Sequence, residues 1–345
     1  MKALRKVASG YGNLEISNEK AVSPLEGEMK IRVLATGICG SDIHALKGEY
    51  NKQIPLTLGH EFVGEVDEIG PSVTDFSTGD RVFSETTFEV CEKCVYCQQE
   101  EFNLCSHRRG IGTQVDGSFA EYVIVKAARC HLLPPEIDTK VAAMMEPLAC
   151  CIHAVMEKTT VAAGEKIAVF GPGPIGMLLA AVLVSLEVEV YLIGITKDQK
   201  RLALGKQLGI QHIIDSQKQD LDEYIQSHTD GIGVDQVFEC SGSPIAVLQA
   251  MTILKKKGRL IQEGLFAKDM NEINMSLLIH KELEYIGSRT QKPSSWRKTL
   301  AWLQEKQVDL TPIVTKTLPL EHWEEAFELA MNGDELKVLM IPSMN

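Results

Sequence analysis

The sequence predicts an α/β protein with a β-rich first part and a doubly wound parallel sheet after it. Three observations carry this. Short runs of alternating apolar and polar residues fill the first part: Met29–Ala35, Val63–Ile69 and Phe119–Val125, the pattern of half-buried strands. Beyond Pro147, apolar strands alternate with helical segments, which implies parallel pairing with helices on both faces. A glycine-rich turn, Gly171–Gly176, joins the first of those strands to the first helix after it.

In the first part, turns are marked by Gly27, Gly59, Gly64, Gly70-Pro71, Gly79-Asp80, Gly110, Gly112 and Gly117. The pattern changes near Glu146-Pro147. Pro147–Met156 suits a helix with proline near its start. A strand at Ile167–Phe170, a helix from about Ile175 to Leu186 and a strand at Val188–Ile195 follow. A polar-faced helix over Asp198–Leu208 should stop at Gly209. Ile210–Ile214, Val234–Glu239 and Arg259–Gln262 read as further strands. From about Ser288 the pattern is mixed, with amphipathic helices at Trp296–Glu305 and Trp323–Met331.

Composition excludes several classes. The 345 residues are 44% apolar and 24% charged, ordinary for a soluble globular chain and too apolar for a disordered one. A net charge of −12 opposes binding to a phosphate backbone. Lys255-Lys256-Lys257 reads as a solvated helix end. No apolar stretch of signal-peptide length follows MKALRKVASGYG. Ile167–Leu186 lacks charge over twenty residues, but its Gly-Pro-Gly-Pro breaks it into strand, turn and helix rather than a span. A soluble cytoplasmic protein is expected, with no nucleic-acid or membrane partner.

Nine cysteines are too few for a disulfide scaffold of this size. Four of them form Cys91-x2-Cys94-x2-Cys97-x7-Cys105. Four thiolates from one loop can close a tetrahedron on a soft ion, leaving no open position, so a structural zinc is expected. The spacing differs from the common ferredoxin runs, which puts zinc ahead of an iron–sulfur cluster. Cys130, Cys150, Cys151 and Cys240 read as buried packing residues.

A second constellation is dispersed: Cys39 in GICGSDIH, His60-Glu61 in GHEFVG, and Glu146 in MEPL. A cysteine, a histidine and carboxylates can hold one zinc with a position open for water or substrate. Such a zinc polarises an alcohol or carbonyl oxygen. Ser41 and His44, two and five residues after Cys39, are placed for a proton relay to solvent.

Gly171-Pro172-Gly173-Pro174-Ile175-Gly176 matches G-x-G-x-x-G in the strand–helix context that dinucleotide binding needs. The glycines serve the turn, the approach of pyrophosphate and helix packing, and the helix N-terminus faces the phosphates. The next strand ends in Gly194-Ile195-Thr196, none of them acidic, followed by Lys197, Lys200 and Arg201. An acid there would bind ribose hydroxyls of NAD, whereas small residues and cations suit a 2′-phosphate, so NADP is favoured over NAD. Asp198 is the acidic counter-candidate, or a helix cap.

These ordered motifs, together with Gly117–Tyr122 and Glu146-Pro147-Leu148-Ala149, resemble zinc-dependent medium-chain dehydrogenases of the sorbitol (polyol) and threonine dehydrogenase branch. The similarity runs over nearly the whole chain. It implies a GroES-like catalytic domain from residues 1–150 and 288–345, with a structural-zinc lobe at about 88–108. A Rossmann domain over 151–287 is inserted, with the active site in the cleft. It implies catalytic zinc on Cys39, His60 and a carboxylate place shared by Glu61 and Glu146, without deciding which binds directly. It puts Ile175, Glu263-Gly264-Leu265 and Ser288 beside the nicotinamide half of the cofactor, and Arg289 on the substrate. It also implies a homodimer or homotetramer pairing through the Rossmann domain.

Three positions depart from that pattern. The ribose acid is replaced by Thr196, a substrate-contacting tyrosine by Ala45, and a glycine of the cysteine lobe by Glu100. The expected reaction is hydride transfer between a secondary alcohol of a polyol or polyol phosphate and NAD(P), giving the ketose. An amino alcohol such as threonine, or a diol, is the alternative. Ala45, Tyr50, Phe88, Arg289 and Trp296 are candidate walls, and Arg289, Lys292 and Arg297 candidate phosphate cations. A regulator that has lost catalysis would show a broken ligand set or relay, and both are intact.

Overall fold

The computed structural model describes residues 1–49 and 53–343. The chain divides into two compact units. The first contains Met1–Glu146, Lys292–Trp296 and Val314–Asn345, and the second Pro147–Gln291 and Arg297–Ile313.

The first unit begins with β1 (Lys2–Lys6), β2 (Leu14–Asn18), β3 (Glu28–Gly37), helix α1 (Gly40–Lys47), β4 (Leu56–Thr57), β5 (Glu61–Ile69) and β6 (Arg81–Ser84). The cysteine lobe lies between β7 (Thr87–Glu89) and β8 (Arg109–Gly110) and holds the short helix α2 (Val95–Gln98). Then come β9 (Tyr122–Lys126), β10 (Cys130–Leu132), α3 (Thr139–Ala142) and the start of α4 (Met145–Glu157). The expected strand at Phe119–Val125 begins later because Phe119 N–H bonds to Leu58 O and Ala120 makes only an isolated bridge to Ala3.

The second unit holds β11 (Lys166–Phe170), α5 (Pro174–Val184), β12 (Glu189–Gly194), α6 (Gln199–Gly205), β13 (His212–Asp215), α7 (Leu221–His228) and β14 (Val234–Glu239). It continues with α8 (Pro244–Ile253), β15 (Leu254–Gln262), α9 (Met275–His280) and β16 (Glu284–Gly287). Among the described residues these strands form a six-stranded sheet in the order β13-β12-β11-β14-β15-β16, and every pairing is parallel. This is the doubly wound order, whose ligand crevice lies at the carboxyl ends of the strands beside the first one. The core strands are apolar on both faces, as sheets covered on both sides require: Ile167, Ala168, Val169 and Phe170 are all buried.

Lys255–Lys257 is not a helix end. α8 stops at Ile253, and the three lysines open β15, where Lys255 pairs with Asp235 and Lys257 with Glu282.

The chain ends with α10 (Pro293–Lys306), β17 (Val314–Pro319), α11 (Trp323–Asn332) and β18 (Lys337–Ile341). β18 pairs antiparallel with the end of β3, at Leu339↔Gly37 and Met340↔Thr36. The mixed tail thus completes the main sheet of the first unit, in the order β10-β6-β5-β3-β18-β17 with β9 also on β3. No helix among the described residues is long and apolar enough to cross a membrane.

Candidate active site and cofactor site

Cys39 stands at the N-cap of α1, two residues beyond the end of β3. His60 and Glu61 stand where β5 begins, and β5 pairs antiparallel with β3 so that Gly37 faces Glu61. That register gathers residues twenty-odd positions apart: ligand atoms of Cys39, His60 and Glu61 all lie within 4.8 Å of one another. Glu146, in the first turn of α4, is buried and lies outside that group, yet its charge acts on His60.

Asp42 braces the segments that carry Cys39 and His60. It is buried, its Oδ2 accepts from the Cys39 N–H at 3.0 Å, and its Oδ1 accepts from the Gly59 N–H at 3.3 Å. The same Oδ1 stands 3.9 Å from His60 Nδ1. One carboxylate therefore fixes the backbone of both ligand-bearing segments. Burial alone would push His60 down, but Asp42, Cys39 and Glu146 hold it well above its ordinary value. Burial acts the other way on an acid and raises Asp42. A thiol, a carboxylate and a buried ring whose Nδ1 has no hydrogen-bond partner make a donor set suited to zinc.

Beneath this group lies Lys337, 1% exposed, at the start of β18. Its Nζ forms an ion pair with Glu61 Oε2 and donates to Ile38 O at 3.0 Å. Gly37 makes room for the pair, since a Cβ there would stand 2.5 Å from Glu61 Oε2 and 2.8 Å from Lys337 Cε. Sequence reading missed both Lys337 and the bracing by Asp42. The only signal for Lys337 was one lysine at the head of an apolar strand.

Ser41 and His44 lie three residues apart on α1, both partly exposed. His44 Nδ1 is 2.6 Å from Glu49 Oε2, and that contact holds Glu49 below the usual carboxylate range. Of the candidate walls, Ala45 is fully buried in the core with Leu46 and Leu58. Trp296 is buried and stacks with Phe83 and His131. Phe88 lies beneath Lys126, Arg289 and Arg297 are exposed, and Lys292 stands 3.9 Å from Glu101. Tyr50 lies outside the described residues.

The four lobe cysteines form the second group of potential ligands. Their sulfurs are 3.5 Å apart for Cys94–Cys97, 3.7 Å for Cys105–Cys91 and 3.9 Å for Cys91–Cys97. A zinc–sulfur tetrahedron with bonds of about 2.3 Å has edges of about 3.8 Å, so the spacing fits. Backbone N–H groups of Lys93 and Cys94 pull the Cys91 thiol down to about 6, while burial pushes Cys97 up to about 12. Ionising all four together needs a cation among them. Glu100 takes φ 56, a left-handed conformation that favours glycine. Cys150 and Cys151 are buried as expected. Cys130 and Cys240 are less enclosed overall, but burial of their thiols raises both, Cys130 to about 12.

In the second unit, the glycine turn lies at the carboxyl end of β11, and Gly173 caps α5 with Pro174 in its first turn. Gly171 has φ +91, and a Cβ on Gly176 would stand 2.0 Å from Gly171 O. A Cβ on Gly173 would meet nothing within 4 Å, so its backbone is open to a ligand. Ile175 sits in the first turn of α5, and its carbonyl accepts from Cys151 Sγ at 3.4 Å. Thr196 and Lys197 are exposed, and Arg201 stands 4.0 Å from Asp198. Asp198 turns back to accept from the Ile195 N–H at 3.2 Å. Sequence reading missed Asp215. It ends β13 beside Gly194, and its carboxylate accepts from Thr196 Oγ1 at 2.9 Å. Gly264 packs against Gly242, Leu265 is 80% exposed, and Ser288 N–H bonds to Gln262 O at 2.9 Å.

Comparison with known proteins follows the same division. Residues 25–135 match the alcohol dehydrogenase GroES-like domain, and residues 174–305 match the zinc-binding dehydrogenase domain. The chain is 45% identical to a sorbitol dehydrogenase of Halalkalibacterium halodurans, over 99% of each chain. The chain belongs to the zinc-binding alcohol dehydrogenase family. It is an NAD(P)-dependent, zinc-dependent oxidoreductase with the GroES-like and Rossmann folds that its motifs imply. It is also 44% identical to a D-arabitol-phosphate dehydrogenase of Enterococcus avium, over 99% of this chain and 97% of that one. Identity to an L-threonine 3-dehydrogenase of Bacillus velezensis is 36%, over 99% of each chain. Among solved structures, 2R,3R-butanediol dehydrogenase of Bacillus subtilis superposes with a TM-score of 0.88 at 29% identity, over 99% of each chain. A Sinorhizobium meliloti structure solved with NADP superposes with a TM-score of 0.89 at 30% identity, also over 99% of each chain.

Proposed function

We propose that the protein oxidises a secondary alcohol of a polyol or polyol phosphate to the ketose, reversibly, with a nicotinamide dinucleotide. The observation that carries this is the Cys39–His60–Glu61 ligand group in a chain 45% and 44% identical to a sorbitol and an arabitol-phosphate dehydrogenase. Cys39, His60 and Glu61 would hold the catalytic zinc, with Glu146 the carboxylate able to take Glu61's place. Cys91, Cys94, Cys97 and Cys105 would hold the structural one. Zinc, when bound, lowers the pKa of an alcohol hydroxyl, and the dinucleotide supplies the hydride acceptor. Asp42 keeps Cys39 and His60 in place during turnover. Ser41 and His44 pass the hydroxyl proton outward, with Glu49 holding the imidazole at Nδ1. Arg289 is the proposed substrate contact. The proposed catalytic domain comprises residues 1–150 and 288–345 and the proposed nucleotide domain 151–287, except that 147–150, 288–291 and 297–313 belong to the second compact unit. Gly171, Gly173, Pro174, Ile175 and Gly176 would cradle the pyrophosphate and nearby nicotinamide, with Gly264, Leu265 and Ser288 lining the latter.

For the cofactor, Thr196, Lys197 and Arg201 favour NADP. Asp215 supports a second reading, because its carboxylate beside Thr196 would repel a 2′-phosphate and favour NAD. Rates with NAD and NADP, each against pentitols and hexitols, free and phosphorylated, with threonine and butanediol as controls, test both points. Turnover on one polyol set is expected, and turnover on threonine alone would replace the substrate reading. With NADP ahead, the Thr196 reading holds; with NAD ahead, Asp215→Asn should raise the NADP:NAD ratio of kcat/KM by about tenfold.

The protein is also proposed to form a homodimer or homotetramer through its nucleotide-binding unit. β16 forms an edge of that sheet, and Ile245 and Ile279, at 71% and 74% exposure, leave apolar surface on the same unit. Light scattering should give the mass of two or four chains, and a single-chain mass would overturn this.

A further inference from the structure

We infer that Glu239 is a positioning residue for the dinucleotide: its buried carboxylate ties together the loops that follow three neighbouring strands. This rests on the cofactor reading proposed above. Glu239 is the last residue of β14, 0% exposed, paired on one side with Phe170 of β11 and on the other with Gln262 of β15. Its Oε1 accepts from the Ser241 N–H at 2.7 Å and from the Ser241 hydroxyl. Its Oε2 accepts from the Gly242 N–H at 2.9 Å and from Gln262 Nε2 at 2.5 Å. Its main-chain oxygen accepts from the N–H groups of Glu263 at 2.9 Å and Gly264 at 2.8 Å.

The consequence is a set of close backbone contacts across the carboxyl edge of the sheet. Ser241, held by the carboxylate, lies against the glycine turn, where a Cβ on Gly171 would be 2.9 Å from Ser241 Cβ. A Cβ on Gly264 would stand 2.3 Å from Gly242 N and 2.8 Å from Glu239 Oε2. The turn after β11, the loop after β14 and the loop after β15 thus share one brace. All the hydrogen-bond donors to that carboxylate are neutral, so its burial is costly, while charge-assisted bonds to it are stronger than amide ones. A glutamine there would turn its NH2 toward an N–H donor, leaving one loop without its acceptor. Opening of the Gly242–Gly264 contact would disturb the nicotinamide side of the crevice, next to Gly264 and Leu265, more than the adenosine side.

The test uses the full-length, zinc-replete enzyme. NADH and NADPH are titrated by fluorescence, and 5′-AMP probes the adenosine half alone. Glu239→Gln should weaken the dinucleotide that the wild type binds by about tenfold or more and leave 5′-AMP within about twofold. At saturating dinucleotide kcat should hold while the KM for dinucleotide rises. Unchanged dinucleotide affinity, or equal loss for 5′-AMP, would overturn the proposal. If Glu239→Gln does not fold, Gln262→Met keeps the carboxylate and removes one donor, and should weaken the dinucleotide by about threefold. No change in that variant overturns the proposal too. Failure of the wild type to bind any dinucleotide would instead reject the cofactor reading itself.

Discussion

Cys39→Ser is expected to lower turnover by about a thousandfold or more while the protein stays folded. Cys39 contributes to the fold through its backbone, whose N–H bonds to Asp42 at 3.0 Å and caps α1. Serine preserves that bond and the side-chain volume. It does not supply a thiolate, because a hydroxyl stays protonated near neutral pH. The sulfurs of the lobe belong to a separate group and are untouched. Zinc analysis should therefore fall from two ions per chain to one, with unchanged circular dichroism. Full activity with one zinc fewer would remove Cys39, His60 and Glu61 from the catalytic role.

Much of this was legible in the sequence because it is written in local pattern. The cysteine lobe needs one loop, and its spacing alone specifies a sulfur tetrahedron. The glycine turn announces itself between an apolar strand and an apolar helix, and Gly176 cannot bear a Cβ where it stands. Cys39 and His60-Glu61 were recoverable because each sits in a compact motif, although their meeting depends on the β3–β5 register. What escaped is non-local. Asp215 meets Thr196 only because β13 runs parallel to β12 in a particular register. Glu239 is one acid at the end of an apolar strand until its neighbours supply four donor groups to its carboxylate. Ala45 was a candidate wall because the resemblance puts a substrate-contacting tyrosine at its position, yet here it turns to the core.

Lys337→Met should destabilise the first unit by about 3–5 kcal/mol, the usual cost of leaving one member of a buried ion pair without the other. Met keeps most of the length and volume but removes the ammonium that faces Glu61 and the donor to Ile38 O. Glu61 is 1% exposed, so water cannot replace the lost partner. Pairing the change with Glu61→Gln should recover most of the loss, because the buried charge goes with it. Urea unfolding of the four proteins, treated as a double-mutant cycle, reads the coupling directly. The metal adds a second axis. A cation beside Cys39, His60 and Glu61 would compensate the carboxylate that Lys337 no longer faces. The penalty of Lys337→Met should therefore be larger in chelated protein than in zinc-loaded protein. A coupling below about 0.5 kcal/mol, within the additivity of independent sites, would mean that the lysine does not balance Glu61. An equal penalty with and without zinc would mean that Glu61 does not face the metal, and Glu146 would then be the carboxylate ligand.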